Sequence, residues 1–173
     1  LSSAIFDISK KGKLISEDIV DPVFKTRTTQ AGTQRHKGFE ASAQGAITDK
    51  LFVMTSLMRL DAKYEKDEDY EGNTPADVPE WSASLWSRYE FSEALSLNAG
   101  AFYEGERFAD NQNTILKSGY TRVDVGATYT TSIKNHDVNF RFNINNLFDK
   151  KYVVGGGENS ATAADGISFR LAT

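Results

Sequence analysis

The stretch Val138-Asn139-Phe140-Arg141-Phe142-Asn143-Ile144 alternates apolar and polar side chains without a break. Successive side chains of a β-strand point to opposite faces, so this pattern predicts a strand with one apolar and one polar face. A second alternating run lies upstream, from Arg122 to Tyr129, with Val123, Val125 and Ala127 on its apolar side. Strands of this kind belong to a sheet whose two faces meet different surroundings.

The same period of two recurs along most of the chain. The other alternating apolar sets are Ala4, Phe6, Ile8; Phe39, Ala41, Ala43, Gly45, Ile47; Phe52, Met54, Met58, Leu60, Ala62, Tyr64; Trp81, Ala83, Leu85, Tyr89, Phe91; Leu95, Leu97, Ala99, Ala101, Tyr103; and Ile167, Phe169, Leu171. Apolar stripes at helical spacing are hard to find. The sequence therefore predicts an all-β chain of about eight strands.

The predicted connections between these strands alternate between short and long. Short turns are expected at 48–50, 92–94 and 132–137, and long polar loops at 11–23, 66–78, 110–119 and 153–166. This arrangement places His136 in a short turn. An antiparallel up-and-down meander with short turns at one end and long loops at the other is typical of an outer-membrane β-barrel.

The predicted apolar face carries aromatic rings near the strand ends and small residues between them. The rings are Trp81, Phe91, Tyr103 and Tyr129, and the small residues are Ala41, Ala43, Ala83, Ala99, Ala101 and Ala127. Rings at both ends of a band about 25 Å tall suit the headgroup depth of a bilayer. We therefore expect this face to meet lipid, including Phe52, Met54 and Met58 of the third run.

The opposite face carries charges that suit a wet lumen. These are Arg59, Asp61, Arg88, Glu90, Arg122, Asp124, Arg141 and Arg170. Burying so many ions in a dry core would cost several kcal/mol for each unpaired one. A water-filled barrel interior removes that cost, which favours a membrane barrel over a soluble sheet protein.

Composition excludes several other classes of protein. The 173 residues include no cysteine, so disulfides, thiolate metal sites and a cysteine nucleophile are ruled out. The formal charge of −4 argues against nucleic acid as a partner. The sequence contains no apolar run of about 18 residues, so it predicts no transmembrane helix. The only histidines are His36 and His136, and no catalytic or metal-binding motif accompanies them, so no enzyme, catalytic residue, metal site or cofactor is predicted.

The run Asn143-Ile144-Asn145-Asn146-Leu147-Phe148-Asp149-Lys150-Lys151-Tyr152 resembles the penultimate-strand signature of TonB-dependent outer-membrane receptors. The signature positions are Asn143, Asn146, Leu147, Phe148, Asp149 and Tyr152. Further segments agree in order and spacing, namely 38–40, 78–86, 103–108 and 119–124. Together they resemble the ferric-siderophore branch, and within it the hydroxamate receptors of ferrichrome or ferrioxamine type.

The resemblance implies an integral protein of the bacterial outer membrane that takes up ferric siderophores and contributes to iron transport. It implies a barrel of about 22 strands around an N-terminal plug, with residues 1–173 as the C-terminal segment of the barrel and the plug absent. TonB would then act only through the missing N-terminal part. Since the family ends in an aromatic residue and this chain ends in 169–173, the last strand is expected to be cut short. Outer-membrane lipid and lipopolysaccharide are the other expected partners, and no cofactor is implied beyond the transported ferric siderophore.

Candidate ligand-binding residues are aromatic side chains near the long loops. A ferric hydroxamate chelate is compact and partly apolar, so rings with a few hydrogen-bond donors suit it. Phe108, Tyr152 and Tyr70 meet this description, whereas Tyr103 is expected on the lipid side. The signature residues are expected to shape the exit of their strand, with a turn at 145–146.

Two charged segments admit more than one interpretation. Arg35-His36-Lys37 lies on a predicted strand extension, where it could meet lipopolysaccharide phosphates or an anionic ligand. A plain solvent-facing extension is the favoured interpretation. The acidic segment 66–71 could bind a divalent cation, but it lacks a calcium-loop spacing, and a solvated loop is favoured.

Two other classes of protein remain open from the sequence. Eight strands in about 170 residues also suit a complete small outer-membrane barrel with a structural or adhesive role. Such a barrel would have to fill its interior with paired charged and polar side chains. A soluble all-β binding module is the other alternative, and it would be monomeric in water without detergent.

Overall fold

The computed structural model describes residues 1–18, 26–155 and 170–172, and these form strands, turns and loops. The strands are β1 (Ser2–Asp18), β2 (Thr26–Thr48), β3 (Leu51–Lys66), β4 (Trp81–Glu90), β5 (Leu95–Glu104), β6 (Arg107–Phe108), β7 (Leu116–Lys117), β8 (Tyr120–Ile133), β9 (His136–Ile144), β10 (Tyr152–Gly155) and β11 (Arg170–Ala172). Within these ranges no helix is long and apolar enough to cross a membrane.

Seven strands form one antiparallel sheet in the order β1-β2-β3-β4-β5-β8-β9. Each strand pairs with the next large strand along the chain, which confirms the predicted all-β meander. In the described residues β1 and β9 are the two ends of the sheet and do not pair with each other. The sheet of the described residues is therefore a partial barrel wall, and these residues do not form the closed small barrel.

The short turns lie where they were predicted, and one is shorter than expected. Between β8 and β9 only Lys134 and Asn135 are outside the strands, and their φ angles are 51° and 65°. Two consecutive positive φ angles define the turn type whose twist matches that of paired strands. The prediction that His136 lies in the turn is wrong, because His136 is the first residue of β9 and pairs with Ile133.

The first hairpin extends much further than predicted. β1 continues to Asp18, so the residues 11–18 that were expected to form a loop are strand, while 19–23 lie outside the described residues. The ladder is interrupted around Gly12, whose φ of 83° allows the extra residue of a β-bulge. Strand pairing across this bulge is the reason that a charged, Gly-containing stretch stays extended.

The register sorts the side chains of the central strands into two faces. Directly opposed residues of an antiparallel pair point to the same side. One face carries Phe39, Ala41, Leu57, Trp81, Ala83, Leu85, Tyr89, Leu97, Ala99, Tyr103, Val123, Val125, Tyr129, Phe140 and Phe142. The other carries Ser42, Ser84, Arg88, Asn98, Arg122, Asp124, Thr128, Arg141 and Asn143. We call these the outer and inner faces.

The predicted face assignment of β3 is wrong. Met54 pairs with Trp86 and Met58 pairs with Ser82, which puts both methionines on the inner face. Leu57 instead lies between the alanines of β2 and β4 on the outer face. Both faces of β3 are largely apolar, so its own alternation was ambiguous and its neighbours decided the register.

The same neighbours correct three other assignments. Phe52 pairs with Arg88 and therefore lies on the inner face. Arg59 pairs with Phe39 and Trp81 on the outer face, and so does not face the lumen as predicted. Asp61 follows on that face, opposite Lys37.

The first strand is also inverted relative to its apolar pattern. Phe6 of β1 pairs with Gly38 on the inner face, while Ile5 pairs with Phe39 on the outer face. The last alternating run, 167–171, is described only from Arg170, and β11 pairs with β10 rather than with β9.

Deep burial occurs where the long loops cover the sheet. Among the described residues the buried apolar side chains are Ala62, Tyr64 and Ala109, at the long-loop end. The hydroxyl of Tyr64 donates to Oδ1 of Asn111, which comes from the loop between β6 and β7. In the described residues, these loops therefore form a layer on the inner side of the sheet.

Candidate functional site

A group of rings and charges gathers on the inner face at the long-loop end of β5 and β8. The register pairs Phe102 with Arg122 and Glu104 with Tyr120. The guanidinium carbon of Arg122 lies 4.8 Å from the centre of the Phe102 ring. A cation over a ring face at this distance is attractive, so the pair forms a flat, partly apolar surface.

Tyr152, the first residue of β10, completes this group after the loop that follows β9. Its ring stacks on Tyr120 with centres 4.0 Å apart and planes 15° apart. Nη1 of Arg122 donates to the Tyr152 hydroxyl over 3.5 Å. We call Phe102, Glu104, Tyr120, Arg122 and Tyr152 the luminal ring cluster.

Arg122 of the cluster and the neighbouring Arg107 each form an ion pair with a carboxylate. Nη2 of Arg122 lies 2.9 Å from Oδ2 of Asp124, and Nη1 of Arg107 lies 2.7 Å from Oε1 of Glu104. The Tyr120 hydroxyl donates to the second oxygen of Glu104 over 3.2 Å. The cluster thus combines ring faces and hydrogen-bond donors with balanced charge.

Arg107 connects the cluster to the surrounding loops. Its side chain is 4% exposed, and Nη2 donates to the Val153 carbonyl of β10 over 2.7 Å. Its Nε lies 3.6 Å from the Asp77 carboxylate, which Lys117 of β7 also contacts. One buried guanidinium therefore ties β10 to the loops after β3 and β5.

A second set of hydrogen bonds joins the two long loops. Asn113 donates through Nδ2 to the Thr74 carbonyl over 2.7 Å and accepts the Thr74 N–H through Oδ1 over 2.8 Å. Asp110 accepts from the hydroxyl and N–H of Thr114 and from the N–H of Ile115. Burial raises the pKa of Asp110, but these hydrogen bonds outweigh it and hold the pKa below its usual value.

The other two predicted ring residues lie in different surroundings. Tyr70 packs against Tyr64, with ring centres 5.8 Å apart and planes tilted by 44°. Phe108, in β6, lines a hollow of about 410 Å³ together with the outward-facing Arg59 and Lys63. The structure therefore brings Tyr152 into the luminal ring cluster, while Tyr70 and Phe108 stay candidate residues outside it.

The signature residues shape the exit from β9. Asn146, with φ 53°, accepts the N–H of Lys150 and donates to its carbonyl, and the N–H of Leu147 donates to the Val123 carbonyl. Asp149, with φ 48°, closes a turn on the Asn146 carbonyl. Asn143 lies beside Gly126 on the inner face, while Phe148 is 73% exposed. Tyr152 follows this turn by a few residues and stacks on Tyr120.

Sequence reasoning missed most of the cluster. In the sequence, Phe102 alternates with the apolar residues of its strand and so falls on the side of Ser96, Asn98 and Glu104, where a ring is unexpected. Arg122 was expected only as one of many luminal charges. The missing information was the β5–β8 register, which sets Phe102 opposite Arg122 across the whole 105–119 connection.

The structure bears on both charged segments for which the sequence allowed more than one interpretation. Arg35 makes hydrogen bonds to both oxygens of Asp7, at 2.7 and 2.6 Å, and to Glu65 at 2.8 Å. Its charge is thus already matched, which weakens the case for an anion at this position. In the described residues no group of three or more acidic or histidine side chains is arranged to hold a metal ion, and this includes the acidic 66–71 segment.

A hollow of about 630 Å³ lies on the inner face below the cluster. Its lining includes Gln44, Met54, Trp86 and Phe102. It mixes apolar rings with hydroxyl and amide groups, as expected for a surface that water or another polar protein segment would contact. An apolar outer face, a charged inner face and loops at one end together define the wall of an outer-membrane β-barrel.

Comparison with known proteins agrees with this class. The family model of TonB-dependent receptor-like β-barrels matches residues 1–147. The chain belongs to this family, whose members are outer-membrane receptors.

The relatives are receptors and transporters. The ferrichrome outer membrane transporter/phage receptor of Escherichia coli K12 is 32% identical over 158 residues, covering 88% of this chain and 21% of that protein. The ferrioxamine receptor of Yersinia enterocolitica is 32% identical over 185 residues, covering 97% and 25%. The crystal structure of the siderophore receptor PiuA from Acinetobacter baumannii is 32% identical with a TM-score of 0.75, covering 87% and 22%. The chain thus spans about a quarter of the length of these proteins or less.

Proposed function

We propose that this chain forms part of the barrel wall of a receptor for TonB-dependent uptake of ferric siderophores. The observation that carries the proposal is the family match over residues 1–147 together with relatives named for ferrichrome and ferrioxamine. Within that receptor we assign residues 1–173 to the C-terminal part of the barrel. TonB would act through other parts of the protein, and the chain itself would carry out transport rather than catalysis.

The luminal ring cluster is the proposed contribution of this chain to ligand binding. It lies at the long-loop end of the inner face, which is the extracellular end of an outer-membrane barrel. Its stacked tyrosines and the Phe102–Arg122 pair offer apolar surface beside hydrogen-bond donors. A compact ferric chelate with a hydroxamate shell presents the complementary mixture of apolar edges and acceptor oxygens.

The outer face supports the proposed lipid contact. Leu85, Tyr103 and Phe140 are each close to half exposed on that face, at 49%, 45% and 55%. In a membrane this surface would be covered by acyl chains and headgroups. Lipopolysaccharide stays a proposed partner at the upper rim, where Lys37 lies on an exposed part of β2.

The test is a binding and uptake assay on the receptor that carries this chain. Tyr152→Ala removes a stacked ring and a hydrogen-bond acceptor, so the affinity for ferrichrome should fall by about tenfold, the equivalent of about 1.4 kcal/mol. Uptake of radioactive iron from ferrichrome should fall with it. Tyr103→Ala is the matched control, because it removes the same side chain from the outer face of the same region.

Two results would contradict the proposal. A parent receptor that neither binds nor takes up any ferric siderophore would remove the function. Equal losses in Tyr152→Ala and Tyr103→Ala would remove the luminal ring cluster as the binding surface.

A further inference from the structure

The charges at the luminal ring cluster are matched one by one. Arg122 lies 2.9 Å from Asp124, and Arg107 lies 2.7 Å from Glu104. Farther into the loops, Lys117 pairs with Asp77. Each of these three cations therefore lies close to a carboxylate, and the three pairs together add no net positive charge to the inner surface at this end.

Charge balance has a direct consequence for the ligand. A ferric tris-hydroxamate is neutral, whereas a ferric tris-catecholate is trianionic. A trianion is attracted by free arginines and repelled by carboxylates, while a neutral chelate gains from ring contact and hydrogen bonds alone. When the arginines of a site are already paired with carboxylates, the site attracts a trianionic chelate less strongly.

We propose that Asp124 is a specificity-determining residue that disfavours anionic chelates and so selects the neutral class. This inference rests on the proposed function and goes beyond it by assigning ligand charge to one residue. Asp124 is 22% exposed, and its Oδ2 neutralises the guanidinium that covers Phe102. Arg122 supplies the positive charge that Asp124 masks.

The geometry allows this carboxylate charge to be removed with little change in shape. Oδ1 of Asp124 accepts the N–H of Asn146 over 2.8 Å, and the side-chain oxygen of an asparagine can accept the same bond. Asp124→Asn therefore keeps the turn after β9 while it frees the charge of Arg122. The Arg122 side chain is 34% exposed, so the charge freed by the substitution would be felt at the surface of the cluster.

The expected size of the effect follows from Coulomb's law. One unit charge about 8 Å from a trianion in a wet, water-like site contributes about 1.5 kcal/mol before salt screening, or about tenfold in affinity. At physiological ionic strength screening reduces this to about threefold. The effect on a neutral chelate should be close to nothing.

The experiment measures the affinities of the receptor for ferrichrome and for ferric enterobactin, at low and at physiological salt. The parent should bind ferrichrome more tightly. Asp124→Asn should gain about tenfold for ferric enterobactin at low salt, lose most of the gain at high salt, and leave the ferrichrome affinity unchanged. Asp137→Asn is the matched control, because it removes the same charge from the same face at the short-turn end and should change neither affinity.

The outcomes separate this inference from the proposed function. If the parent binds ferrichrome and Asp124→Asn leaves the enterobactin affinity as it was, the role of Asp124 is refuted while the receptor function stands. An equal gain in Asp137→Asn would also refute it, because the effect would then come from overall charge. A parent receptor that binds neither chelate would overturn both.

Discussion

The corrected face assignment of β3 leads to an experiment in which sequence pattern and tertiary structure predict opposite results. The part of β3 that pairs with β4 runs from Leu51 to Arg59, with Thr55 at its middle. Leu57 is two residues above Thr55 on the outer face, and Met54 is one residue below it on the inner face. At about 3.4 Å per residue and a tilt of about 40°, both lie within about 5 Å of the level of Thr55.

The expected costs differ because the two faces meet different solvents. An arginine on the lipid side near the bilayer middle costs about 2–4 kcal/mol, so Leu57→Arg should lower the free energy of unfolding by at least about 2 kcal/mol. Met54 lies between Gln44 and Trp86 on the inner face, where its side chain is 43% exposed. Met54→Arg should therefore change the free energy of unfolding by less than about 1 kcal/mol.

The assay is reversible urea unfolding of the receptor in lipid vesicles, followed by tryptophan fluorescence. The alternation of β3 by itself predicts the opposite order, because it assigns Met54 to lipid. If Met54→Arg costs as much as Leu57→Arg, or more, the register-based assignment of the faces is refuted. The same two variants are also unfolded in detergent, which has no bilayer middle. A smaller difference between their free energies of unfolding there would show that the difference in vesicles comes from the bilayer.

Two further predictions concern a strand glycine and a loop carboxylate. A Cβ on Gly38 would overlap a β3 carbonyl and lie 2.8 Å from the Phe6 ring, so Gly38→Ala should lower the free energy of unfolding by about 1–3 kcal/mol in the same assay. Gly45 is the matched control, because a Cβ there would have nothing within 4 Å, and Gly45→Ala should change the free energy of unfolding by less than about 0.5 kcal/mol. Equal effects of the two substitutions would contradict the close packing at Gly38. The folded pKa of Asp110 is depressed, so its contribution to loop order is complete above its unfolded pKa near 4 and is lost as the pH falls through the folded value. Hydrogen exchange at the Thr114 amide should speed up at acid pH relative to the intrinsic rate, and Asp110→Asn should remove that pH dependence; an unchanged pH profile in the variant would contradict the assignment.

Part of the site was within reach of the sequence, and part was not. Tyr152 could be proposed as a ligand-facing ring because it follows a signature run at the start of a long loop. Its partners Tyr120 and Arg122 precede it by about thirty residues, and no local pattern connects them. The pairing of Asp124 with Arg122 was equally hidden, since two charges two residues apart on one strand face can pair with each other or with other strands.

The sequence alone determined the strand pattern and favoured one class of protein over the alternatives. Alternation from Val138 to Ile144, turns of alternating length and the Asn143–Tyr152 signature were enough to predict an antiparallel outer-membrane barrel wall, because side-chain period and turn chemistry are local properties. Tertiary structure decided which face of β1 and β3 is which, how far the first hairpin extends, and which rings meet at the lumen. These depend on strand register, and a shift of one residue moves every side chain to the other face. Register is set by the neighbouring strands, so a strand that is apolar on both sides cannot determine its own orientation.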